Sequence, residues 1–242
     1  MFGGSPAPLL TITIEIRELK EISLRGGVLI DCIGGTSFDR SVIGKFLIDQ
    51  LKMEPIAIVE SDPFPPVSII QNSKPSFPMQ VFANMTSKVA VVISSFTPSG
   101  EVVKPLARSL LAWAHNKSIA FTISCSVVHP TAIQSDICAA WSTSNAEIRV
   151  EQSRIDRVES VELTGVPAVI LNEGSWNNQD VIVLITQLQG CDDGGTSVAN
   201  CILQGIDILL PEVKINFDAS LGAINQRLAL NVGGKTAVGT EA

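Results

Sequence analysis

The residues with the clearest opportunity for chemistry lie in the loop Gly34-Gly35-Thr36-Ser37-Phe38-Asp39-Arg40. It follows an apolar run at 28–33 and precedes a helical pattern at 41–51. Ligands of open α/β sheets bind beyond the carboxyl ends of the strands, beside helix N-termini. Gly35, Ser37, Asp39 and Arg40 are therefore the candidate ligand-loop residues. Glycine permits close backbone approach, and the other three offer a hydroxyl, a carboxylate and a guanidinium. The spacing is neither GxGxxG nor GxxxxGK[ST]. Asp39 beside a helix start has a simpler role in capping or in favouring the helix dipole. Turn chemistry is thus the weightier reading of this loop, and a phosphate site the lesser one.

The remaining reactive side chains are scattered. His115 and His129 have no companions at metal-ligand spacing, and the chain contains no GxSxG elbow. Asp192 and Asp193 precede a helical pattern, where carboxylates more often stabilise a helix N-terminus than hold a cation. Cys191 beside them would have a lowered thiol pKa, but no catalytic partner is visible. The five cysteines (Cys32, Cys125, Cys138, Cys191, Cys201) are odd in number and form no CxxC pair. That argues against a zinc site or a disulfide framework and suits a reducing cytoplasm. No metal, cofactor or catalytic residue is expected. Whether the chain is an enzyme stays open, with the balance against it.

Two further features are candidate binding anchors. The stretch 63–78 holds Pro63, Pro65, Pro66, Pro75 and Pro78. Prolines disfavour helix interiors and central strands, so this is a surface excursion. Phe64, Pro65 and Pro66 would be offered to a partner by a loop already ordered, which lowers the entropy lost on binding. The alternative is that Phe64 packs the loop onto its own sheet. Trp176 lies in the polar stretch 172–178, read as a loop, and is either an anchor or an edge-packing residue. Trp113 falls on an amphipathic helical face, and Trp141 is assigned only packing.

These residues need elements to position them. Alternation at 10–16 and apolar runs at 28–33, 56–60, 88–94, 119–125, 168–171 and 181–188 read as strands. Residues 67–71 read as a short edge strand, with a turn at Asn72-Ser73 and a return at 79–83. Helical spacing appears at 41–51, 101–116 and 197–210, with a last short helix at 221–230. The helix at 101–116 opens on Glu101, carries Pro105 near its first turn and ends with His115, as the helix dipole prefers. Residues 127–157 give no clear pattern beyond a possible strand at 139–142 and a charged turn at 154–157. Strands alternating with helices predict an α/β fold whose mostly parallel central sheet is covered by helices on both faces. Residues 1–232 are expected to form one domain and 233–242 a flexible tail.

Composition narrows the partners. The 242 residues carry 17 Lys and Arg against 24 Asp and Glu, a net charge of −7. Nucleic acid is not the expected partner, because phosphate binding needs clustered basic residues. No run approaches the roughly 18–20 apolar residues that span a membrane, and no signal peptide is evident. Only 17% of residues are charged and the mean hydropathy is +0.33. Either a buried homo-oligomer interface or a large aliphatic core explains that equally well.

Residues 28–83 resemble the archaeal branch of the proteasome assembly chaperone 2 family. The resemblance rests on the strand Leu29-Ile30-Asp31, the helix end Phe46-Leu47-Ile48-Asp49-Gln50-Leu51, and the signature Ser61-Asp62-Pro63-Phe64-Pro65-Pro66-Val67. Asn72, Pro75, Pro78 and Phe82 follow in similar order, and Asp192-Asp193-Gly194 leads into a late helix. The family's Gly-x-Gly-x-Val-Gly-like loop is only partly present: Ser37 and Arg40 stand where later glycines would be. The glycine usual after the strand at 119–125 is replaced by Ser126 or Val127. Some relatives end in a hydrophobic-Tyr-any tail that docks into a proteasome ring. This sequence ends Thr240-Glu241-Ala242 and contains no tyrosine, so that mode is not expected.

The resemblance implies a nucleoside-phosphorylase-like architecture and a cytoplasmic, homo-oligomeric, ATP-independent module that binds proteins, proteasome subunits among them. The competing expectation is a small-molecule binder or a hydrolase- or phosphorylase-like enzyme using the loop at 34–40.

Overall fold

The computed structural model describes residues 12–35, 40–71, 73–129, 133–187, 196–213 and 215. Among the described residues nine strands form one sheet. In chain order they are β1 (Glu15–Glu18), β2 (Val28–Cys32), β3 (Glu54–Glu60), β6 (Met79–Asn84), β7 (Val89–Ser94), β8 (Phe121–Val128), β9 (Ile137–Trp141), β10 (Asp156–Arg157) and β11 (Val181–Gln187). A separate hairpin comprises β4 (Ile69–Gln71) and β5 (Lys74–Ser76). The helices are α1 (Ser41–Gln50), α2 (Gly100–Asn116), α3 (Ser144–Ser153), α4 (Gly165–Asn177) and α5 (Thr196–Leu209).

The strand order is β1-β3-β6-β7-β2-β8-β11-β9-β10. The four central strands, β7, β2, β8 and β11, run parallel. On one side β6, β3 and β1 alternate in direction, and on the other β9 runs antiparallel to β11. The α/β fold and the parallel centre expected from β-branched runs are present, with helices on both faces.

β2 is buried throughout and β7, β8 and β11 along most of their length, so their alternating side chains feed two cores. Val28, Ile30 and Cys32 share one core with buried side chains of α1, α3 and α5. Leu29 and Ile33 share the other with those of α2 and α4. Buried positions Leu106, Leu110 and Trp113 give α2 its inward stripe. Trp113 donates from Nε1 to Glu18 Oε1 at 3.1 Å, and Lys117 Nζ pairs with Glu18 Oε2 at 2.7 Å. These contacts tie the end of α2 to edge strand β1.

Several expectations are corrected. Residues 168–171 are helical, inside α4, not a strand. The short apolar run permitted either reading, and burial of Val166, Ile170 and Gly174 at helical spacing decides it. Trp176 accordingly stands in the last turn of α4 rather than in a loop. The charged stretch 144–153, left unread, is α3; it buries only Ala146 and Val150, too narrow a stripe to show in a charged sequence. Residues 154–157, expected as a charged turn, comprise left-handed Arg154, which caps α3, and strand β10. The return after Ser73 is β5, ahead of β6, and β1 starts at Glu15. The helix expected at 221–230 and the tail at 233–242 lie outside the described residues.

Candidate functional site

The parallel strands β2 and β8 are neighbours whose onward connections leave in opposite directions, β2 through α1 toward β3 and β8 toward β9. A crevice opens at such a switch point, beyond the strand carboxyl ends. Here it is a cavity of about 250 Å³. Gly34, Gly35 and Arg40 form one part of its wall, Thr97, Pro98, Gly100 and Val103 another, and Cys125–Val127 with Thr164–Pro167 the rest.

Beneath it lies a buried polar cluster. Asp31 occurs in the otherwise apolar β2 and is fully enclosed. Its Oδ1 accepts from the Ile33 amide at 2.9 Å and its Oδ2 from Ser124 Oγ at 2.6 Å. Arg40, 5% exposed, donates through Nη1 to the Cys125 carbonyl and lies 3.9 Å from Asp31 Oδ2. The guanidinium is thus turned inward at the start of α1, where it offsets the buried carboxylate. Burial pushes the Cys125 thiol up to about 12 and the Cys32 thiol well above its ordinary value. Neither is a nucleophile near neutral pH, since the thiolate is the reactive form.

Of the four ligand-loop candidates, Gly35 and Arg40 line this cavity. Ser37 and Asp39 lie outside the described residues, as do Cys191, Asp192 and Asp193. Sequence reading missed Asp31, Ser124 and Ser126. A carboxylate inside an apolar strand run, and hydroxyls alternating with Cys125, were the available signals. No group of three or more His, Cys, Asp or Glu suited to a metal ion occurs among the described residues.

The proline excursion leaves β3 at the same end of the sheet. Phe64 is half-buried, with its ring edge-on to Phe96 at 4.9 Å between centroids and 64° between planes. Phe96 follows β7 and is held by Ser94, whose Oγ accepts from its amide at 3.1 Å and donates to its carbonyl at 2.7 Å. Pro65 and Pro66 are exposed. They form, with Phe64, Val67, Pro75 and Phe77, the sides of an apolar groove of about 470 Å³. Val67, Ile70 and Phe77 stay exposed around it, Ile70 at 65%. Thr97 and Pro98, which immediately follow Phe96, belong to the cavity wall, so one short segment separates groove from cavity.

Trp176 is 87% exposed. It lies near the far end of α4, about 16 Å along the helix from Gly165. The fold therefore does not bring Trp176 together with Phe64, Pro65 and Pro66.

A family model described as the PAC2 family matches residues 41–219. No curated protein matches the chain. Similar solved structures include Pyrococcus furiosus PbaA, described as an archaeal homolog of proteasome-assembly chaperone. That likeness has a TM-score of 0.77 at 15% identity and covers 90% of this chain and 94% of that one. Pyrococcus furiosus PbaB, an archaeal proteasome activator, gives a TM-score of 0.71 at 16% identity, covering 93% and 98%. A Mycobacterium tuberculosis proteasome-assembly chaperone homologue gives 0.61 at 12% identity, covering 88% and 97%. At these identities the likeness establishes the fold, and fold does not settle function. Among the described residues no helix is long and apolar enough to cross a membrane.

Proposed function

The chain belongs to the PAC2 family, and from that premise we propose that it is a protein-binding module that assists proteasome assembly. It acts by covering subunit surfaces, with neither ATP nor catalysis, as a cytoplasmic homo-oligomer. The observation that carries this reading is the proline-stiffened groove. Val67, Ile70 and Phe77 stand exposed in one excursion, and a cluster of exposed large apolar side chains marks an interaction surface.

Phe64 supports the groove from below by packing on Phe96, while Pro65 and Pro66 form its accessible wall. An excursion held this way loses little conformational freedom when a partner seats on it. Trp176, isolated at the other end of α4, serves a second contact, either between copies or to another part of the partner. The raised thiol pKa values of Cys32 and Cys125 weigh against thiol chemistry in the neighbouring cavity.

A pull-down of the full chain from native lysate, read by mass spectrometry, tests the reading. Recovery of proteasome α-subunits supports it. Their absence, together with a metabolite retained on the purified protein, moves the function to the cavity instead.

A further inference from the structure

We propose that the segment ahead of β1, residues 1–11, seats in the proline groove of its own chain, so that a partner must displace it. The displacement rests on the reading of the groove as the subunit-docking surface; the occupancy itself does not.

Residues 1–11 lie outside the described residues, but the place where they enter the fold is defined. β1 pairs antiparallel with β3, Glu15 opposite Glu60, so the chain ahead of β1 runs past the end of β3 toward the excursion at 61–78. Ser61 marks the meeting point. Its Oγ donates to the Thr13 carbonyl at 2.7 Å, and Ser61 also lines the groove. Leu10 stands three residues ahead of Thr13, within about 11 Å at full extension, and Phe2 within about 40 Å. The groove is therefore in reach of any residue of the segment.

The sheet offers the segment no continuation there. A longer β1 would need ladder partners beyond Glu60. Pro63, Pro65 and Pro66 have no N–H to give, and the Phe64 amide is spent on the Ser61 carbonyl at 3.0 Å. The pairing of β1 with β3 accordingly stops at Glu15 and Glu60, and the contact beyond it is made by the Ser61 side chain.

The chemistry of the two surfaces matches. The segment Met-Phe-Gly-Gly-Ser-Pro-Ala-Pro-Leu-Leu-Thr has no charged side chain. Among the described lining residues of the groove the one charged side chain is Glu60, already paired with Arg17 at 3.0 Å. The rest of the lining is proline, phenylalanine, valine and serine. Pro6 and Pro8 favour the extended polyproline form that aromatic-lined grooves accept. Phe2, Leu9 and Leu10 supply apolar side chains to bury. At about 470 Å³ the groove falls within the range of roughly 300–1,000 Å³ that seats a ligand of several such groups. A short tether gives an effective concentration on the order of 1 mM. An intrinsic affinity of about 0.1 mM then keeps the groove about nine-tenths occupied and weakens a partner's apparent affinity about tenfold.

The test uses the full purified chain with p-benzoylphenylalanine in place of Leu10. Irradiation is expected to give a cross-link within one chain, mapped by mass spectrometry to residues 61–78. A cross-link to another part of the chain overturns the proposal. So does one that joins two chains, which assigns the groove to a second copy. Hydrogen exchange tests the natural side chains. Amides of residues 67–77 are expected to exchange about three- to tenfold faster in the double variant Leu9→Ser, Leu10→Ser than in the wild type. Equal exchange overturns the occupancy. The same variant is expected to bind purified proteasome α-subunits about three- to tenfold more tightly than the wild type, and equal affinity overturns the displacement. Absence of any complex with either chain, alongside the intramolecular cross-link and the slower wild-type exchange, overturns the assembly reading and leaves the groove assigned to the segment.

Discussion

The ring of Phe64 meets that of Phe96 edge-on at 4.9 Å, joining the proline excursion to the segment that leaves β7. This contact divides the excursion into an anchor and a display. Phe64 faces the core, whereas Val67, Ile70 and Phe77 face solvent.

The division separates stability from binding. Phe64→Ala loses half-buried packing and the aromatic contact, and is expected to cost about 1–3 kcal/mol. Ile70→Ser and Phe77→Ser alter exposed positions and should shift stability by no more than about 0.5 kcal/mol. Urea unfolding of the three variants gives the comparison. Equal losses in all three would mean that the display side is packed too.

Asp31, Ser124 and Arg40 act as one buried unit. Asp31→Ala leaves the Arg40 guanidinium buried without its carboxylate, at an expected cost of about 3–5 kcal/mol. Replacing both, as Asp31→Asn with Arg40→Met, should cost less than the sum of the two single changes. A double-mutant cycle from denaturant midpoints measures that coupling. Strict additivity would show that the pair at 3.9 Å does not interact.

Cys125 couples stability to alkaline pH. Its folded value of about 12 stands above the ordinary 9.0 because burial disfavours the thiolate. A raised folded pKa means that this contribution is complete below about pH 9 and is lost as pH climbs toward 12, where only the unfolded chain releases the proton readily. Cys125→Ala should flatten the decline in that window. In the folded protein Cys32 and Cys125 should also resist Ellman's reagent at about pH 8 until guanidinium is added.

Gly44 marks a close approach of α1 to the sheet. A Cβ there would fall 2.3 Å from Ile93 Cγ2 and 2.8 Å from Cys32 Cβ. Both neighbours are stiffly placed on strands, so Gly44→Ala should destabilise by about 1–3 kcal/mol despite alanine's better helix propensity. A melting temperature at or above the wild type would show that α1 can lift away freely.

Much of the architecture could be read from residue pattern because the central strands are aliphatic on both faces and α2 has a clear apolar stripe. The parts that escaped have physical reasons. In α4, Val166, Pro167 and Ile170 lie in a run too short to distinguish helix from strand. In α3, two buried residues suffice because most of the helix faces solvent, although Thr143 as its cap was a usable clue. Among the described residues, the cavity draws Gly34, Gly35 and Arg40 from the loop that sequence singled out. Its other walls come from α2, β8 and α4, segments distant in the chain that only the sheet order brings together. The groove was more accessible to sequence reasoning, since its prolines lie within one stretch.

The most direct measurement of the central claim is binding of the full chain to purified proteasome α-subunits of the same organism, followed by native mass spectrometry. The account predicts a defined complex with the wild type and its loss in the folded Ile70→Ser, Phe77→Ser double variant. No complex with the wild type, or an undiminished one with that variant, would contradict it.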